Sequence, residues 1–383
     1  MPQNDDTIHQ TAPLYLTNIA HEENPEIHKS LSDFLKHLEL LWKRVTNHPE
    51  NPLHEIYGYA NLRKSLIPWF QTQETEKYGR EKQLLEIFPA AKLIHQVHDK
   101  AFALKFTQSH VLESQDPLSH MAKIVDVEHC QSKKLLQTTV SKHIEKWPNW
   151  AQTSFTLKPR IGTSGRGRLQ GQAGRIIFPK KLDFDILRAE TSGFILEPWI
   201  KRDSDFSTQF VIGPDDSIRV YAIQDLINTR GGIYRGNAGH TINGSIQSIH
   251  DWPRVPPNSL RIKFLQTLRS LGYKGPGGID SFTYHLQDNP KQLYQRDVVE
   301  LNARFTVGYI AANLANQTLG KTPTKPFWLF LLNFTTNIAK KLTHYQDHVE
   351  CCPFQTDFGK SVLVTSENRD IITTMMRFAT ESK

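Results

Sequence analysis

The sequence predicts an α+β protein, and three observations carry that prediction. Apolar residues at Ile27, Leu31, Phe34, Leu35, Leu38, Leu41, Trp42 and Val45 recur at helical spacing, which buries one face of a helix. Strand-like runs flank two turn signals, Gly213-Pro214-Asp215-Asp216 and Asp288-Asn289-Pro290, as antiparallel hairpins require. Helices and hairpins then follow one another in mixed order.

Taken in turn, residues 1 to about 24 read as a loose lead-in. A helix over 27–45 ends before Asn51-Pro52, which breaks the chain. A second helical stretch spans about 81–106, interrupted at Pro89. The character changes near Trp147. Residues 155–158 form a short strand that enters a glycine-rich loop, and 175–178 and 193–200 read as further strands. Two strands occupy 206–227. Residues 259–271 make an amphipathic helix stopped by Gly272, and strands follow near 279–284 and 297–303. The apolar run 327–334, after Pro323 and Pro326, reads as the start of a buried helix. It is far too short to span a bilayer.

With 383 residues the chain is long enough for two or three packed units. Its 38% apolar and 22% charged residues suit a globular protein. The formal charge of +7 favours anionic partners. The basic residues are scattered, without the long stripe or reading motif of a nucleic-acid binder, so no nucleic acid is expected. Three cysteines, two of them adjacent, suggest a reducing compartment. The polar residues 1–6 carry no apolar core of a signal peptide. A cytoplasmic protein without a membrane partner is the expectation.

Two segments carry chemistry. In residues 157–167, Leu157-Lys158-Pro159-Arg160-Ile161-Gly162-Thr163-Ser164-Gly165-Arg166-Gly167, glycines let backbone N–H groups approach phosphate oxygens. Lys158, Ser164 and Arg166 add donors. No Gly-Lys-Ser/Thr closes the loop, so it is not a P-loop. A solvated hairpin loop is the plain alternative.

The second segment is Val298-Val299-Glu300-Leu301-Asn302-Ala303-Arg304. Strand periodicity puts Val299, Leu301 and Ala303 on one face, and Glu300, Asn302 and Arg304 on the other. Asp280, on the preceding strand, and Glu300 each stand ten residues from Pro290. A symmetric hairpin therefore sets the two carboxylates nearly opposite. Such a pair repels unless a cation lies between. Oxygen ligands without His or Cys suit Mg²⁺ or Mn²⁺ bridging substrate phosphates. Asp357-Phe358-Gly359 mimics a kinase motif, but no His-Arg-Asp precedes it.

Together these segments resemble the ATP-grasp superfamily over about residues 99–319. Asp99-Lys100 resembles the pair that opens the ATP-grasp core, and Lys158 the second phosphate lysine. Residues 162–167, with Ser164, Gly165, Arg166 and Gly167, look like the flexible loop that closes over the phosphates. Glu197-Pro198-Trp199-Ile200 looks like the hinge that hydrogen-bonds adenine, and Asp205 is placed like the ribose-binding acid. Asp280, Glu300 and Asn302 match the metal ligands, and Arg304 the substrate-binding arginine.

The resemblance implies two α+β subdomains with nucleotide between them, preceded by a mainly helical or α/β N-terminal domain. The expected divisions are 1–98, 99–200, 201–345 and a C-terminal tail, 346–383, packing on the core. It implies ATP and Mg²⁺ or Mn²⁺ as cofactors, small-molecule carboxylate and amine substrates, and allows a homodimer. The implied chemistry is ligation: ATP phosphorylates a carboxylate, and an amine attacks the acyl phosphate. Arg304 and Arg219 would orient the carboxylate, with Lys158 on the phosphates, and residues 229–237 would line the acceptor pocket or form an exposed hairpin tip. Other chemistry on the same fold, a carboxylase or small-molecule kinase, and a non-catalytic nucleotide sensor are the alternatives.

Overall fold

A computed structural model describes residues 13–16, 18, 29–110, 116–162, 167–180, 182–229, 231–250, 259–320, 323–332, 340 and 342–381. Three sheets organise them.

The first sheet is small and parallel: β1 (Leu14–Leu16), β2 (Ser65–Pro68) and β3 (Leu85–Glu86), in that order. Parallel neighbours need crossover connections. Helices Lys29–Thr46, Pro52–Tyr57 and Tyr59–Leu62 lie between β1 and β2, and helix Gln73–Glu81 between β2 and β3. The N-terminal region is thus α/β. Leu14–Leu16 lies within the expected lead-in yet pairs as a strand; three residues are too few to show a period. Helix Lys29–Thr46 buries Leu38, Leu41, Trp42 and Val45. Trp42 meets Tyr15, Trp69 and Phe305 edge to face, 5.1 to 5.6 Å between ring centres. Phe305 belongs to the far end of the chain, so the N-terminal unit packs directly on the largest sheet.

The second sheet is antiparallel. It comprises β4 (Lys123–Val125), β5 (Ser154–Pro159), β6 (Leu169–Gln172), β7 (Arg175–Ile177) and β8 (Phe194–Pro198), in spatial order β4-β8-β5-β6-β7. Helix Lys133–Ile144 covers it with Leu136, Val140 and Ile144, which join Phe155, Leu157, Phe194 and Leu196 in one core.

The third sheet has nine strands: β9 (Arg202–Ile212), β10 (Ile218–Asn228), β11 (Tyr234–Ile242), β12 (Ser245–Gln247), β13 (Gly275–His285), β14 (Leu293–Asn302), β15 (Phe327–Leu331), β16 (Val349–Thr356) and β17 (Gly359–Ser366). Their order is β14-β13-β9-β10-β12-β11-β15-β17-β16. Residues 199–201 alone join β8 to β9, so the second and third sheets meet at one short connection. The last two strands of the chain extend the third sheet, and helix Arg369–Glu381 buries Ile372, Met375 and Ala379 against it. Asp357-Phe358-Gly359 sits at the β16–β17 turn. Among the described residues no helix is long and apolar enough to cross a membrane.

The run expected to start a helix at 327 is strand β15 instead. Phe327–Leu331 pairs with β11 on one side and β17 on the other. Both of its faces meet apolar layers: Trp328 and Phe330 join the main core, Leu329 and Leu331 the core under the C-terminal helix. Burial on both faces removes the alternation that marks a strand in sequence. Close pairing also explains Gly236, where an added Cβ would lie 2.0 Å from the Phe330 carbonyl oxygen. Trp328 is fully buried, so Trp328→Ala is expected to cost about 3–5 kcal/mol. Urea unfolding measures it, and a loss below about 1 kcal/mol would contradict a packed central strand.

Candidate active site

The site grows from the β13–β14 hairpin. The pairing register sets Asp280 opposite Glu300, Ile279 opposite Leu301 and Gly278 opposite Asn302. The register then shifts between Asp280 and Phe282, where residues 297–299 bulge out of β14. The expected alternation holds for Leu301 and Ala303, which enter the main core, but not for Val299. Val298 takes the core place, and Val299 packs with Phe282 and Ile200 on the cavity side.

Asp280 accepts hydrogen bonds from Ser207 Oγ at 2.9 Å and Asn302 Nδ2 at 3.2 Å. Burial first, then the Glu300 charge, raise its carboxyl to about 7. Burial also works against a charged Glu300, but Lys100 and Lys158 outweigh it and hold that carboxyl below its ordinary value. The pair therefore splits into one ready anion and one group that loses its proton near neutrality. Arg304 donates to the Asn302 side-chain oxygen at 3.2 Å and to the Phe305 carbonyl at 2.8 Å.

Two lysines converge on this hairpin. Asp99 caps helix Lys100–Ser109 by accepting from Ala101 N at 2.8 Å, and Arg160 grips the same carboxylate. That places Lys100 in the first turn, 3.5 Å from Glu300 Oε2 and 2.7 Å from the Gly162 carbonyl oxygen to which it donates. Lys158, at the end of β5, pairs with Glu197 on neighbouring β8.

All of this borders a cavity of about 950 Å³ between the second and third sheets. Lys100, Lys158, Gly162, Asp280, Glu300, Asn302 and Arg304 line its middle. Trp199, Ile200, Phe282 and Val299 make an apolar stretch beside the inter-sheet connection, with Asp205 at its edge in an ion pair with Arg202 at 2.6 Å. Arg168 stacks on Trp199 at 4.3 Å, and Arg202 on Phe282 at 4.2 Å. Thr306 caps helix Val307–Leu319, whose first residues, Val307 and Gly308, face the cavity beside Arg304.

Most of the residues named from sequence thus meet in one place, with three departures. Arg219 lies near the start of β10, pairs with Glu55 on an exposed surface and is not part of the cavity wall. Glu197 stands behind the wall: its carboxylate is consumed by Lys158 and Arg296, which overcome burial and hold it at about 2. Gly167 is exposed with φ of +66°, and does not line the cavity; Ser164, Gly165 and Arg166 lie outside the described residues.

The sequence reading missed Ser207, Gln209, Arg202 and Arg168, and the contribution of Thr373, Met376 and Arg377 from the last helix. The alternation of Asp203, Asp205, Ser207 and Gln209 along β9 was the available signal for the first two. Nothing in the spacing of the last helix tied it to a cavity formed by residues of much earlier elements. Thr229, Gly232 and Tyr234 do reach the wall, and Arg230 lies outside the described residues.

Whether these residues suit a divalent cation follows from their donors. Among the described residues no three His, Cys, Asp or Glu side chains cluster as a self-sufficient metal site. Asp280, Glu300 and the Asn302 oxygen offer an incomplete oxygen set. That suits a hard cation completed by substrate phosphate and water.

No protein-family model and no curated protein sequence matches the chain. Solved structures do. N5-carboxyaminoimidazole synthase from Aspergillus clavatus, in complex with ADP and 5-aminoimidazole ribonucleotide, aligns over 92% of this chain and 94% of its own, with TM-score 0.50 and 10% identity. N5-carboxyaminoimidazole synthetase from Staphylococcus aureus, complexed with ADP, aligns over 83% and 80%, with TM-score 0.49 and 15% identity. Biotin carboxylase from Campylobacter jejuni aligns over 82% and 74%, with TM-score 0.47 and 12% identity. The agreement across nearly the whole of the first pair shows that the chain has the ATP-grasp fold.

Proposed function

We propose that the protein is an ATP-dependent ligase that activates a carboxylate for attack by an amine. The observation that carries this reading is the facing pair Asp280 and Glu300, in a cavity that Lys100, Lys158 and Arg304 also line. Two half-buried carboxylates that face each other cost free energy unless a cation joins them. Lysines aimed at the same space complement phosphate. The N5-carboxyaminoimidazole synthase of the same fold was solved with a nucleotide and an aminoimidazole ribonucleotide, which supports a nucleotide and a second substrate sharing one cleft.

In this reading Asp280, Glu300 and Asn302 hold Mg²⁺ or Mn²⁺, and Mg-ATP, when bound, supplies the phosphoryl group and neutralises its charge. Lys100 and Lys158 draw the phosphates into line. Trp199, Ile200, Phe282 and Val299 form an apolar slot for the base, and Asp205 reaches the sugar. Arg304 and the first turn of helix Val307–Leu319 receive the substrate carboxylate, since a guanidinium and free helix N–H groups both favour an anion. The amine enters from the side of Thr229 and Tyr234.

Glu300→Gln is expected to lower ADP release at least a hundredfold in a coupled assay, with a melting temperature within a few degrees of wild type. Turnover kept within tenfold would remove the metal role. Arg304→Ala should cost at least about tenfold in kcat/KM for the carboxylate, and Arg219→Ala less than twofold. Equal losses would return Arg219 to the site.

Proton linkage gives a further check. Because the Asp280 carboxyl is raised to about 7, its protonated form stabilises the metal-free fold at low pH. That contribution is lost as pH rises from its ordinary value through about 7. A bound cation must displace the same proton. Mn²⁺ affinity with ADP present, followed by electron paramagnetic resonance, is therefore expected to rise up to about tenfold from pH 6 to pH 7. Asp280→Asn should flatten the dependence, and an unchanged slope in that variant would exclude Asp280 as its source.

A further inference from the structure

Behind the cavity wall, four charges of alternating sign form a buried chain across the two sheets. Lys158 on β5 pairs with Glu197 Oε1 on β8, and Glu197 Oε2 accepts from Arg296 Nη1 on β14 at 3.0 Å. Arg296 Nε lies 3.8 Å from Asp116 Oδ2, just before helix Pro117–Met121. Their side chains are 16%, 4%, 2% and 1% exposed, in that order. Only Lys158 of the four lines the cavity.

The far end of the chain is fixed. Asp116 accepts from Tyr284 OH at 2.5 Å, Ser119 Oγ at 2.5 Å and Leu118 N at 3.1 Å. Arg296 is thereby held against Glu197 whatever Lys158 does. The near end has a choice, because a long, flexible ammonium between a carboxylate and an open cavity can serve either.

We propose that Arg296 is a positioning residue that frees Lys158 for phosphate. Turning Lys158 into the cavity takes one counter-charge away from Glu197. If Lys158 were the only partner, the move would strand a carboxylate in the interior, and the lysine would stay home. Arg296 keeps Glu197 neutralised after Lys158 departs, so the cost of departure falls. The same carboxylate parks Lys158 when the cavity holds no phosphate. The resemblance assigned Glu197 to adenine; its carboxylate instead acts on the phosphate end, through Lys158. This inference rests on the nucleotide reading of the cavity.

The test is the dissociation constant of Mg-ATP by calorimetry for wild type, Arg296→Met, Glu197→Gln and the double variant, with folding checked by circular dichroism. Arg296→Met is expected to weaken binding about tenfold or more, because Glu197 then retains Lys158. Adding Glu197→Gln to it should restore binding to within about threefold of wild type, since a neutral amide no longer holds the lysine. A double variant as weak as Arg296→Met, or weaker, marks a merely structural role and overturns the proposal. Should Arg296→Met fail to fold, the neutral but polar Arg296→Gln serves instead: Glu197→Gln must tighten binding in that background, and weakening overturns the proposal. Wild-type protein that does not bind Mg-ATP overturns the nucleotide reading itself, which separates the two failures.

Discussion

The site depends on one electrostatic constraint: Asp280 and Glu300 face each other across a β-ribbon, in a place where neither is well solvated. Everything near them answers that charge. Ser207 and Asn302 donate to Asp280, Lys100 approaches Glu300, and Arg304 sits behind Asn302. A hydrocarbon lining would have been cheaper for stability. The protein keeps a cluster of like charges that is under tension by itself, which is the kind of arrangement that suggests a site of chemistry rather than of folding.

The positions of the lysines follow from the same economy. Lys100 stands in the first turn of its helix because Asp99 caps that helix and Arg160 clamps Asp99. A helix start is an unfavourable place for a cation, so the Glu300 carboxylate and the Gly162 carbonyl compensate. Lys158 is compensated by Glu197. Neither ammonium is idle, yet both border open space.

How much of this was legible depended on whether the signal was local. The hairpin was, because Asp280, Pro290 and Glu300 lie within one ribbon and a turn residue marks its middle. The helix at Lys29–Thr46 was, because its apolar stripe repeats over four turns. Phe327–Leu331 was not: packed on both faces, it shows a run and no period. The strands of the N-terminal sheet were not, being two to four residues long. Arg219 failed for another reason. A residue type suited to a carboxylate says nothing of which end of an eleven-residue strand meets the cavity. Arg296 gave no sign of burial, since its partners Glu197 and Asp116 are far away in sequence and arrive only with the fold.

The bulge at residues 297–299 makes the ribbon behave like a reading frame. Between the turn and the bulge, residues face one another in one frame; beyond it, where Asp280 meets Glu300, they face in another. Residues added at the turn, around Asp288 to Lys291, would lengthen a loop and leave both frames alone. One residue removed from the bulge would slide Glu300, Asn302 and Arg304 together onto the opposite face. It would drive three polar groups into the core and turn Leu301 and Ala303 toward the cavity. The tip of the hairpin therefore tolerates a change of length, while the bulge does not, and Val298 in the core and Asp297 against buried Arg261 hold its place as well as its count.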